Sequence, residues 1–158
     1  MVTSETTPLG AIAVLASWAE PWRDTFSHSA VLSTAVLFVH LAALLVAGGF
    51  SLVADYEAIR APLSAATSPA PRRLAMRGMI VLLASGAALF LSDVDAFAHL
   101  ATFWIKMGLV AILVVNARFA LRVDATTVGT GTRRRFHAAA SAALWLCTLG
   151  AGTALMNG

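Results

Sequence analysis

Apolar residues in this chain fall in long unbroken runs, where a soluble protein would show an apolar stripe on one face of each helix or strand. Runs of about 20 residues, at 1.5 Å of rise each, match the roughly 30 Å hydrocarbon core of a bilayer. The pattern predicts four crossings, over residues 31–54, 75–92, 100–121 and 137–156. Turn-forming residues separate them. Pro62, Ser64, Thr67, Ser68, Pro69 and Pro71 follow the first run, a short turn over 93–98 follows the second, and Thr126, Thr127, Gly129, Gly131 and Thr132 follow the third. The predicted fold is an all-α integral membrane four-helix bundle over residues 30–158, preceded by an N-terminal segment, 1–29.

That segment contains its own apolar stretch, LGAIAVLASWA over residues 9–19, too short to span. No positive region precedes it, as a cleaved signal would require. Trp18, Pro21 and Trp22 close to its end favour a short helix lying in the interface, with its indoles at headgroup level.

Composition agrees with the pattern. Of 158 residues, 59% are hydrophobic before glycine is counted and only 12% are charged, against about 45–50% apolar with glycine included in a soluble domain. Mean hydropathy is +0.80. The lone cysteine, Cys147, excludes an intrachain disulfide or a cysteine-based zinc site.

Charge adds orientation. A pI near 10.0 raises the possibility of nucleic acid, but the basic residues are not gathered as a binding face would need. All except Arg23 and Lys106 flank the first and third connections: Arg60, Arg72, Arg73 and Arg77, then Arg118, Arg122, Arg133, Arg134 and Arg135. Because basic loops are retained in the cytoplasm, both termini are placed outside, on the periplasmic face. The partner implied is a lipid bilayer and not nucleic acid.

An ionisable group at the centre of a span costs at least ~2.5–3.5 kcal/mol, so each needs a partner, a cavity or a ligand. His40 lies roughly 14 Å from the outer end of the first run and Lys106 about 9 Å from the outer end of the third. His99 is two helical turns from Lys106. The lysine stem can also snorkel to the outer headgroups. A neutral imidazole at His40 can be satisfied by a neighbouring helix backbone, a serine or a threonine, or it can ligate metal as an axial haem ligand. Ala43, Ala47 and Gly48, along the same face, suit a flat ligand or close helix packing alike. An outer copper site from His28, His99 and Met156 needs three distant segments to converge. Asp55, Arg60, Arg77 and Arg118 read as a structural charge cluster at the cytoplasmic end. No serine nucleophile with a base, phosphate loop or carboxylate pair is evident, so the residues themselves assign no reaction.

The segments FVHLAALLVAGGFSLVADYEAIR and FWIKMGLVAILVVNARF resemble a group of small bacterial membrane proteins. It includes the copper-resistance D-type proteins, the HemJ-type protoporphyrinogen oxidases and several uncharacterised four-helix families. The resemblance rests on a histidine in the first span, a charged exit after it and an aromatic-x-Lys start to the third, and runs from about residue 28 to the C-terminus. It implies a multi-pass protein of the bacterial inner membrane, with haem b binding carried by His40 and Lys106. The chain lacks the tryptophan and further basic residues that the oxidase pattern has near the first exit. The leading expectation is therefore a b-type haem on His40, serving electron transfer or porphyrin redox chemistry, with Lys106 pairing a propionate or approaching the iron. His99, Met107 and Met156 are candidates for a second axial ligand, a five-coordinate iron being the alternative, and the expected partners beyond lipid are a larger membrane complex, a quinone or a redox partner. The alternatives are a non-catalytic subunit of a larger membrane complex, suggested by the small residues AAASAALWLCTLGAGTA of the fourth run, and a copper or small-solute transport protein.

Overall fold

Lipid offers a backbone no hydrogen-bonding partner, so an apolar run must satisfy its amides within its own helix. The computed structural model describes residues 8–60, 69–125 and 131–156, and these are helical almost throughout. Six helices result: α1 (Pro8–His28), α2 (Ala30–Arg60), α3 (Pro69–Ser92), α4 (Val94–Ala98), α5 (Ala101–Ala125) and α6 (Gly131–Met156). Three are long and apolar enough to cross a membrane, over Ala30–Arg60, Ala70–Ser92 and Ala101–Phe119. The fourth expected run is helical too, but its alanines, glycines, serines and threonines make it less apolar than those three. Of the expected turn residues, those within 61–68 and 126–130 lie outside the described residues, as do residues 1–7, whereas Pro69 and Pro71 open α3 and Gly131 and Thr132 open α6.

Two further elements differ from the sequence expectation. The connection over 93–98 is a short helix and not a plain turn, because Asp93 accepts the Ala96 N–H at 3.2 Å and caps it. Val94 and Ala98, one turn apart, are buried beneath it. The N-terminal helix runs well past the apolar stretch to His28 and packs against α3, α4 and α2. Trp18 is 81% exposed. Trp22 instead turns inward and donates its indole N–H to the Ala88 carbonyl on α3 at 2.8 Å. At Ser29 the helix breaks, and the serine hydroxyl accepts the Leu32 N–H at 3.2 Å to start α2.

Small residues set the packing. The closest approach is between α2 and α3: a Cβ on Gly78 would fall 2.8 Å from the Ala47 backbone nitrogen, so only glycine fits. The α2 helix also packs on α6, where Trp145 lies against Gly48. In turn α6 packs on α5, and the Asn116 amide joins them by donating to the His137 carbonyl at 3.4 Å. Ala43, Ala47, Met79, Leu82, Leu113 and Trp145 form the core. Between α3 and α5 there is no extensive packing; they meet through the stacked rings of Phe90 and Phe103, 4.9 Å apart, at the end where α4 lies. Outward faces carry large apolar side chains such as Phe38, Leu45, Ile80, Ile112 and Leu146, the surface that lipid contact requires.

Candidate functional site

His40 sits midway along α2, half-buried and facing α3. Its Nδ1 is 3.0 Å from the Ser85 hydroxyl. That hydroxyl has one hydrogen, and the carbonyls of Val81 and Leu82, at 2.8 and 3.1 Å, accept it. Nδ1 is therefore the donor to Ser85, and the neutral ring keeps a lone pair on Nε2. Beside the ring lies Gly86, where a Cβ would stand 3.2 Å from His40 Cε1. The Leu82 carbonyl is a second contact of the ring, and among the described residues Nε2 has no side-chain hydrogen-bond partner.

Lys106 approaches from α5. Its ammonium lies against α6, with Nζ 3.6 Å from where a Cβ on Gly152 would be. The side chain is half-buried and within electrostatic range of His40. The two ionisable residues singled out by depth therefore share one end of the molecule, with the lysine directed at a neighbouring helix. His99 does not join them: it is the exposed C-cap of α4, and among the described residues no hydrogen bond or ion pair links it to either. His28 is exposed and pairs with Asp24 at 3.2 Å. Met107 is half-buried on α5, and the Met156 side chain lies outside what is described. Among the described residues no three His, Cys, Asp or Glu side chains gather as a metal-binding group.

At the opposite, arginine-rich end the structure forms a second polar site. Asp55 is 7% exposed, and its neighbours are the Ser141 hydroxyl and the charge of Arg72. Ser51 is 3.5 Å from Ser141. The Asp55 Oδ2 atom is buried with no hydrogen-bond partner. The Asp55 residue lines a cavity of about 50 Å³ between α3 and α5, floored by α2 and α6, room for a few waters. The expected cluster of Asp55 with Arg60, Arg77 and Arg118 is replaced by this arrangement. Arg60 lies over the Tyr56 ring, 4.9 Å from its centre, while Arg77 and Arg118 are exposed. The i, i+4, i+8 spacing of Ala47, Ser51 and Asp55 was the available signal, since it places all three on one helix face. Nothing in the sequence identified Ser141 or Arg72 as the partners.

Comparison of the chain with protein-family models, curated proteins and solved structures gives no match. Function is therefore argued from the site alone.

Proposed function

We propose that the protein is a four-span protein of the bacterial inner membrane, related to the copper-resistance D-type and HemJ-type group, that binds a b-type haem through His40. In this reading α2, α3, α5 and α6 all cross as one bundle, both termini are periplasmic, and the arginine-rich end is cytoplasmic. The observation that carries it is the His40 imidazole held through Nδ1 by Ser85, with no side-chain partner on Nε2 among the described residues. Axial histidines are oriented in this way, by a hydrogen bond on the nitrogen that does not ligate. Gly86 keeps the ring edge clear, and the Lys106 ammonium supplies a cation for a propionate. A bound haem would supply one-electron chemistry. The chain's residues would orient the ligand, neutralise charge and exclude water.

The test is a visible spectrum of the detergent-purified, haem-replete protein, oxidised and dithionite-reduced, with a pyridine haemochrome assay. The expected result is a b-type spectrum near one haem per chain that His40→Ala abolishes. A colourless preparation, or an unchanged spectrum in the variant, overturns the reading.

One observation favours a second reading, an accessory subunit of a larger membrane complex. On α6, Ala139, Ala143, Cys147 and Gly150 form an exposed strip of small residues, and a Cβ on Gly150 would meet nothing within 4 Å. Such a strip admits another helix at close range. Co-purification of a stoichiometric membrane partner with a colourless chain would support this reading over the first.

A further inference from the structure

A buried carboxylate oxygen without a partner bears its full desolvation cost unless something supplies a donor. Asp55 Oδ2 is such an atom, and its residue lines the cleft between α3 and α5. Three features restrict what can fill this cleft. Its seam is lateral: α2 and α6 form the floor, while α3 and α5 form the two walls and stack Phe90 on Phe103 at the far end. It is amphipathic, with Asp55, Arg72, Ser51 and Ser141 towards the arginine-rich end and Met79 and Trp145 towards the core. It is narrow, at about 50 Å³, which suits a slender arm better than a ring.

From these features we infer that the cleft binds a phospholipid with a primary-amine headgroup, of the phosphatidylethanolamine class, entering sideways from the leaflet at the arginine-rich end. The ammonium carries three N–H donors, directed at Asp55 Oδ2 and the Ser51 and Ser141 oxygens. The phosphate pairs with Arg72, whose guanidinium offers five donors. Acidic and basic side chains thus complement a zwitterion, whereas an anionic headgroup would meet the Asp55 carboxylate. The glycerol and first methylenes lie along the apolar wall. The inference rests on the membrane reading and is independent of the haem, so a colourless protein would leave it intact.

The experiment titrates the full-length protein in detergent with phosphatidylethanolamine, its N-methyl and N,N-dimethyl derivatives and phosphatidylcholine, counting bound lipid by native mass spectrometry. Affinity is expected to fall along the series as N–H donors are removed, by about tenfold or more in all. In Asp55→Asn the series should flatten. Equal binding of phosphatidylethanolamine and phosphatidylcholine to the unaltered chain overturns the proposal, and does so even if the variant fails to fold. Two further arms can also overturn it. Glycerophosphoethanolamine, which has no acyl chains, should bind far more weakly, and equal binding would mean a water-borne ligand. A short-chain quinol bound in an Asp55-dependent way, without any lipid preference, would assign the cleft to a quinol.

Discussion

Two ionisable residues inside the bundle differ in how their polar atoms are satisfied. His40 and Asp55 are both on α2, yet His40 finds Ser85 as an acceptor while Asp55 keeps one oxygen without a partner. For His40 the bond to Ser85 fixes the tautomer, so Ser85→Ala should loosen the ring and leave it only the Leu82 carbonyl. Loss of such an orienting bond costs roughly 10–100-fold in ligand affinity and about 1–3 kcal/mol of stability. Haem titration and thermal unfolding of the variant check the two effects separately. Gly86→Ala should act through geometry alone, because a Cβ 3.2 Å from Cε1 forces the ring to move. If haem binds as proposed, a shifted Soret maximum at nearly unchanged helix content is the expected signature. Depth made His40 and Lys106 legible in the sequence, since a polar group far from either end of an apolar run is visible without a structure. Ser85 was not legible as the partner, because any hydroxyl at similar depth would have served as well.

Helix pairing follows from where small residues allow backbones to approach. Gly78 faces the Ala47 backbone at a distance no side chain tolerates, so Gly78→Ala should push α2 and α3 apart and cost about 1–3 kcal/mol. Gly49 and Gly108 have open space around them, and replacing either by alanine should stabilise its helix by roughly 0.5–1 kcal/mol. Reversible unfolding of the three variants in mixed micelles gives the comparison, with opposite signs expected. The same logic places α1. Trp22 anchors it to α3 through the Ala88 carbonyl, so Trp22→Phe should raise hydrogen exchange across α1 while leaving α2 protected. The apolar stretch at 9–19 pointed to an interfacial segment, but the inward turn of Trp22 depends on an acceptor 66 positions away in the chain.

For the whole molecule, the distribution of charge predicts sidedness. With Cys147→Ala as background, Asp95→Cys in α4 should react with a membrane-impermeant maleimide from the periplasmic side of intact cells. Arg135→Cys in α6 should react only after permeabilisation. The reverse pattern would overturn the proposed orientation and move the Asp55 cleft to the other leaflet. The same chain would then present His40 and Lys106 to the cytoplasmic half.

The sequence alone determined that the chain is helical and built for lipid. Both properties are local: an apolar run about 20 residues long has one way to satisfy its backbone in a membrane, and that requirement does not depend on its neighbours. Which faces meet was decided by the tertiary structure. Helices that are apolar nearly all round carry little information about their inward side, because lipid and protein are comparable surroundings for leucine or valine. Contacts of a few small and polar residues settle the rotation instead: Gly78 on Ala47, Trp145 on Gly48, Asn116 with His137. From those rotations follow the seam between α3 and α5, the burial of Asp55 against Ser141 and the turn of Lys106 towards Gly152. No periodicity along the chain records these pairings, since each depends on residues brought together from different helices.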